Sequence, residues 1–314
     1  MKECFLGIDT SNYTTSLAAV DDEGVLFNLK APLPVKAGEC GLRQSDALFA
    51  HTKNLPSLFE RARTLLDGRR VLAVGVSEKP RNAEGSYMPC FLAGVSAASG
   101  IASVSGIPLY RFSHQCGHLR AALLSAGKDA LVGESFGAFH ISGGTTEMLL
   151  VTPDQNGFHT EIVGGTRDLN AGQLVDRIGV ALGLSFPAGP ALEALASRYV
   201  GKIPKKPIKT EDGFVHLSGV ENQAMKLLET EGNPEMTAAF VLDHLARIIV
   251  AMSLDFRAKH PLPLVYAGGV MSNAYIRAYI QKNLTDAHFA EPMLSADNAV
   301  GIAALCREAH IKNS

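Results

Sequence analysis

The chain has 314 residues, a size at which one hydrophobic core usually gives way to two, so two lobes of roughly 150 residues each are expected. A content of 46% hydrophobic and 19% charged residues excludes a disordered or fibrous protein, and a formal net charge of −2 means that any nucleic-acid partner must be met by a local basic patch or a second subunit. Five scattered cysteines without a CxxC pair argue against a disulfide framework or a structural zinc knuckle and fit reduced cytosol. The first residues run straight into a strand pattern that meets an acid early, and no later apolar run reaches the ~20 uncharged residues that span a bilayer. A soluble, cytoplasmic protein with no membrane partner is expected.

Taken in chain order, residues 4–9, 14–20 and 25–29 read as three strands joined by the polar turns 10–13 and 21–24. Helical patterns follow over 45–66, 88–103 and 117–125. Residues 136–163 then repeat the opening arrangement, as strand, the turn Ser142-Gly143-Gly144, strand, turn and strand. Further helices are expected over 170–182, 234–259, 273–283 and 296–310. Leu264 to Ala267 is a short apolar strand ending in Gly268-Gly269, a pair that lets a ligand approach the backbone closely or simply makes a tight turn. The lobe boundary is expected near residues 113–135: 1–115 form the first lobe, 116–295 the second, nucleotide-binding one, and the last helix, 296–310, packs back onto the first.

Two tight turns rich in Ser, Thr and Gly, one in each copy of a duplicated strand unit, resemble the actin/hexokinase-like ATPase superfamily. There the turns face a ligand cleft between lobes and offer N–H groups and hydroxyls to phosphate oxygens. Two ordinary meanders are the plainer alternative. The expected fold class is thus α/β, built from a duplicated mixed-sheet unit.

His114-Gln115-Cys116-Gly117-His118 is the sharpest local signal. With Ser113 as helix cap, the two imidazoles lie four residues apart on one face, as two ligands of one metal must, although such spacing also arises by chance. A zinc-protease reading fails, because the general base expected after the first histidine is Gln115, which takes no proton at neutral pH.

Seven motifs appear in order: Gly7-Ile8-Asp9-Thr10-Ser11, the histidine pair, Ser142-Gly143-Gly144-Thr145-Thr146, the stretch Asp168 to Ala196, Leu217-Ser218-Gly219, Gly268-Gly269-Val270-Met271-Ser272-Asn273, and Ser295-Ala296-Asp297-Asn298-Ala299. Together they resemble the TsaD family, the transferase subunit of tRNA threonylcarbamoyladenosine synthesis. The resemblance implies one divalent metal ion, iron or zinc, held by His114, His118 and Asp297. It also implies an adenine nucleotide or acyl-adenylate with its phosphate near Ser142, Gly143, Gly144 and Thr145, with Gly268 and Gly269 close to it, and with Asp176, Gly189 and Asn273 around ribose and base. The partners implied are tRNA and subunits of the TsaB and TsaE kinds. Asp9 and Thr145 are the candidate catalytic residues, with His51 beside Asp9 as a candidate base.

The chain departs from the family pattern where it reads Asn12-Tyr13-Thr14 in place of an acid after the first strand, Thr145 in place of a histidine, and Lys79 to Gly85 in place of a Gly-Pro-Gly loop. These departures leave two alternatives beside threonylcarbamoyl transfer to tRNA: carbamoyl transfer to another acceptor, and a nucleotide-binding partner of a true transferase.

Overall fold

The computed structural model describes residues 2–11, 13–34, 42–155, 157–291, 294 and 299–314. The chain divides into two compact units, the first comprising Met1–Gly133, Pro153–His159 and Ala296–Ser314 and the second Glu134–Thr152 and Thr160–Ser295.

In the first unit β1 (Glu3–Ser11), β2 (Thr14–Val20) and β3 (Val25–Pro32) form an antiparallel meander. The strands β4 (Arg70–Lys79) and β5 (Leu109–Ser113) join in parallel on the other side of β1, giving the order β3-β2-β1-β4-β5. Leu6 and Ile8 of β1, with Val74 and Val76 of β4, share a core with α1 (Gln44–Leu66) and α2 (Phe91–Ser105). The alternate residues point to the opposite face, where α9 (Val300–Asn313) lies. A Cβ on Gly7 would stand 2.5 Å from the Ala299 carbonyl oxygen and the Ala303 nitrogen, so the helix rests directly on the strand backbone. It also crosses α3 (His114–Ser125), where a side chain on Gly301 would collide with the Gly117 carbonyl, and this crossing leaves α3 wholly within the first unit.

In the second unit β6 (Phe136–Ile141), β7 (Thr146–Asp154) and β8 (Gly157–Thr166) repeat the meander. The strand β10 (Leu264–Ala267) runs parallel to β6 and β11 (Ala287–Phe289) parallel to β10, while β9 (Phe214–Val215) extends the far edge. The order β11-β10-β6-β7-β8-β9 thus contains, strand for strand, the first sheet's pattern of a central strand with an antiparallel meander on one side and two parallel strands on the other. The duplication read from the sequence is present in the backbone. Phe139, Tyr266 and Phe289 stack across three neighbouring strands, with ring centroids 5.1 and 4.9 Å apart. They belong to the core that α7 (Pro234–Lys259) fills. That helix is long and apolar enough to cross a bilayer, but most of it is buried in the protein's own core. Around it stand α4 (Ala171–Ala181), α5 (Gly189–Ala196), α6 (Ser218–Glu231) and α8 (Ala274–Asn283).

Candidate functional site

In the first unit the polar constellation is built on β1 and α3. Ser113 ends β5 with extended backbone and its hydroxyl accepts from the Cys116 N–H at 3.2 Å, which starts α3 at His114. His114 and His118 then stand one turn apart on one face, their ring centroids 4.3 Å apart and their Nε2 atoms 2.9 Å apart. Behind them lies Asp9, wholly buried, whose Oδ2 is 2.7 Å from His114 Nδ1 while Oδ1 accepts from the Ser11 N–H at 3.0 Å. An Nδ1–H donated to that carboxylate leaves the His114 Nε2 lone pair directed at His118.

Two imidazole nitrogens sharing one ion at about 2.1 Å and near a right angle would lie about 3.0 Å apart, so this pair fits a metal, and the carboxylate behind one ring is the usual outer support of a metal-bound histidine. Asp297, the third expected ligand, lies outside the described residues. Among the described residues no cluster of three or more His, Cys, Asp and Glu forms a complete site.

The loop that departs from the family pattern lies against the same helix. The Gln115 N–H donates to the Pro80 carbonyl at 3.0 Å, and the Asn82 amide reaches Cys116 Sγ at 3.3 Å and the Phe158 carbonyl at 2.9 Å. Burial pushes the Cys116 thiol up, which makes it a packing group rather than a nucleophile. His51, the other candidate base, is a buried residue of α1 itself, with its Nδ1 2.9 Å from Thr15 Oγ1. Tyr13 is half exposed.

The second unit gathers the residues expected to hold nucleotide. Ser142 to Thr145 close a tight turn, the Ser142 N–H donating to the Thr145 carbonyl at 2.8 Å. The N-terminus of α4 is pressed onto this turn: the Gly172 N–H donates to the Ser142 carbonyl at 3.2 Å, and the Ala171 N–H to Thr146 Oγ1 at 2.8 Å. A Cβ on Gly172 would lie 2.6 Å from the Gly143 backbone, whereas the space beside Gly143 and Gly144 is open. A turn at a helix N-terminus with two exposed glycines suits a phosphate. Gly268 continues β10 beside Ile141 of β6, with φ of +101° and so little room that any side chain would strike the Ile141 carbonyl. Parallel pairing of β6 with β10 therefore sets Ser142-Gly143-Gly144 and Gly268-Gly269 at the same end of the sheet.

Asp176, Gly189 and Asn273 are joined through α5. Asp176 Oδ1 accepts from the Ala188 N–H at 2.8 Å, next to Gly189 at the start of α5, and burial raises the Asp176 carboxyl above its ordinary range. Asn273 caps α8 by accepting from the Ile276 N–H at 3.0 Å, and Glu193 of α5 accepts from the neighbouring Ala274 N–H at 2.7 Å. Glu193 was not among the expected residues, and no local pattern marks it.

Asp168 links two of the motifs. Burial alone would raise its carboxyl, but the Ser218 hydroxyl at 2.5 Å and the N–H groups of Leu217 and Leu169 at 2.8 and 2.6 Å outweigh that and hold it well below the ordinary carboxylate range. It thereby pins Leu217-Ser218-Gly219 beside the start of α4.

The sequence pattern of the family described as TsaD, tRNA N6-adenosine threonylcarbamoyltransferase, matches residues 41–304. The tRNA N6-adenosine threonylcarbamoyltransferase of Thermus thermophilus is 31% identical over 309 residues, which cover 95% of this chain and 90% of that protein. The Streptococcus suis protein of the same name is 29% identical over 317 residues, covering 95% and 90%. Among solved structures, T. kodakarensis HypF superposes with a TM-score of 0.65 at 12% identity, covering 99% of this chain and 48% of that one. A ROK family glucokinase from Streptomyces griseus gives 0.54 at 14% identity, covering 97% and 99%. At such identities the structural likeness establishes the actin/hexokinase-like fold alone.

Proposed function

Given that the chain belongs to the TsaD family of tRNA N6-adenosine threonylcarbamoyltransferases, we propose that it transfers a threonylcarbamoyl group from an acyl-adenylate to the N6 amine of an adenosine in tRNA. The observation that carries this reading is the Asp9–His114–His118 array, which retains the donor pair and its carboxylate support in a chain that has diverged at its turns.

In this reading the second unit holds the nucleotide. The Ser142-Gly143-Gly144 turn and the N-terminus of α4 take the phosphate, Gly268-Gly269 lets the ligand approach the backbone, and Asp176, Gly189 and Asn273 take the ribose and base. His114 and His118 in the first unit, with Asp297, hold the divalent ion, iron or zinc. When bound, such an ion supplies Lewis-acid stabilisation to negative charge developing on carbonyl or phosphoryl oxygens.

The amine lone pair forms a bond to the carbamoyl carbon, and the bond from that carbon to the phosphate oxygen breaks, its electron pair leaving with AMP. An exocyclic amine is a weak nucleophile, so the rate depends on holding it against the carbonyl more than on a strong base. Once the C–N bond has formed the nitrogen is acidic, and water suffices to take its proton. Asp9, with each oxygen already engaged, is then a positioning residue that fixes the tautomer and aim of His114. Thr145 offers a neutral hydroxyl where the family pattern has an imidazole, so binding is retained while the transfer step is slower than in the relatives. Partner subunits of the TsaB and TsaE kinds complete the reading.

Incubating the protein with threonylcarbamoyl-adenylate, metal and candidate partners, and following AMP release with and without tRNA, tests it. Release that rises with tRNA supports the acceptor, and release indifferent to tRNA assigns the carbamoyl group to another one.

A further inference from the structure

We propose that residues 198–209, between α5 and β9, are a docking strap for the phosphate backbone of the RNA acceptor, an inference that rests on the reading of tRNA as acceptor. The segment Arg198-Tyr199-Val200-Gly201-Lys202-Ile203-Pro204-Lys205-Lys206-Pro207-Ile208-Lys209 carries five cations and no acid, in a chain whose net charge is −2. Arg198, Lys202, Lys205, Lys206 and Lys209 are all exposed, and among the described residues none of the four lysines forms an ion pair. The acids that follow are engaged elsewhere: Glu211 faces Arg167 at 3.9 Å and Asp212 faces Lys259 at 3.9 Å.

The strap is held in place despite having neither helix nor strand over residues 202–210. Ile203 and Ile208 pack against the core of the second unit, Arg247 on α7 donates to the Lys206 carbonyl at 3.1 Å, and the Tyr199 hydroxyl donates to the Lys202 carbonyl at 3.4 Å. Pro204 and Pro207 fix the backbone further. Inward isoleucines and outward lysines set a row of ammonium groups along at most about 23 Å of chain, with part of the ordering entropy already met. Lysine ammonium groups suit phosphates met as point charges and carry no base readout, so the strap supplies affinity and register, and the site residues choose the adenosine.

The test measures binding of a full-length unmodified tRNA transcript to the whole protein over a range of KCl concentrations, with metal, nucleotide and partner subunits present. Three variants are compared with wild type: K202Q/K205Q/K206Q/K209Q, the charge-keeping K202R/K205R/K206R/K209R, and K53Q/K226Q/K282Q/K312Q, which removes four exposed lysines elsewhere. The strap glutamine variant should bind at least about tenfold more weakly near 0.1 M salt, and its slope of log affinity against log salt should shrink by roughly 3, since each of the four phosphates left without its lysine takes about 0.7 to 0.9 from the slope. The arginine variant should bind as wild type does, the control variant should change the slope by less than about 1, and adenine-nucleotide affinity should be the same in all, which reports intact folding. Equal losses in the strap and control variants would reduce the effect to bulk charge and overturn the inference. Wild-type RNA binding that survives removal of the strap lysines would overturn it while leaving the acceptor reading intact. Wild-type protein that binds no RNA would remove the acceptor reading and the strap with it.

Discussion

Replacing Asp9 with Asn keeps the shape of a wholly buried side chain and removes its charge. The carboxylate accepts from Ser11 N–H at 3.0 Å and from His114 Nδ1 at 2.7 Å, the latter the short distance typical of charge-assisted bonds. An amide has one acceptor oxygen, so whichever donor keeps it, the other faces an NH2 group. If Asn serves Ser11, His114 loses its support and its ring is free to turn or change tautomer. Loss of such outer support typically costs 10- to 100-fold in metal affinity, or about 1.4 to 2.7 kcal/mol. The metal-free protein loses about 1 to 3 kcal/mol of hydrogen bonding, offset in part because a buried charge is no longer desolvated. The assay is a chelator competition for iron and for zinc on wild type and Asp9→Asn, with adenine-nucleotide affinity measured on the same samples. Metal affinity should fall while nucleotide affinity holds. Equal metal affinity in the two proteins would refute the role given to Asp9, and equal loss of both ligands would mark a general collapse.

Gly172→Ala places a methyl group 2.6 Å from the Gly143 backbone, so it should part α4 from the turn proposed to take the phosphate and weaken nucleotide binding in calorimetry by at least about tenfold, with metal affinity unchanged. Asp168→Asn should cost about 1 to 3 kcal/mol of stability at pH 7 in urea titrations, towards the lower end because the site is partly exposed. Its folded carboxyl lies below the unfolded value, so its contribution is present in neutral solution and lost as pH falls through the folded value. The gap between wild type and variant should therefore close below about pH 4. Thr145→His, which restores the imidazole of the family pattern beside the open glycine turn, should raise the transfer rate by roughly tenfold or more without altering nucleotide affinity; an unchanged rate in single-turnover experiments would mean that the departure is silent.

What could be read from the sequence was whatever depends on neighbours in the chain. Ser113 as cap and the histidines four apart specify a shared helix face without any tertiary information, and the two strand-turn-strand-strand runs announce the duplication. The strand β4 does not stand out, because a central parallel strand buried on both faces reads as one apolar run with no alternation, and β5 is only five residues long. The site was half legible. Its residue types and motif order could be recognised, but the bond between Asp9 and His114 joins positions 105 residues apart, and Glu193 meets Ala274 across 81 residues. No periodicity encodes such pairings; strand register and helix packing do. Likewise Asp168 opens the long central motif in the sequence, yet its grip on Leu217 and Ser218 depends on β9 pairing with β8.

The most direct measurement is the modified nucleoside itself. The metal-loaded protein, with partner subunits, is incubated with isotope-labelled threonylcarbamoyl-adenylate and unmodified tRNA, the RNA is digested to nucleosides, and N6-threonylcarbamoyladenosine is quantified by mass spectrometry for wild type and for His114→Ala. Wild type should give labelled product and the variant at least about a hundredfold less, as expected when charge stabilisation worth about 2.7 kcal/mol or more is lost. Absence of labelled nucleoside from wild type that binds both nucleotide and metal would contradict the proposed transfer.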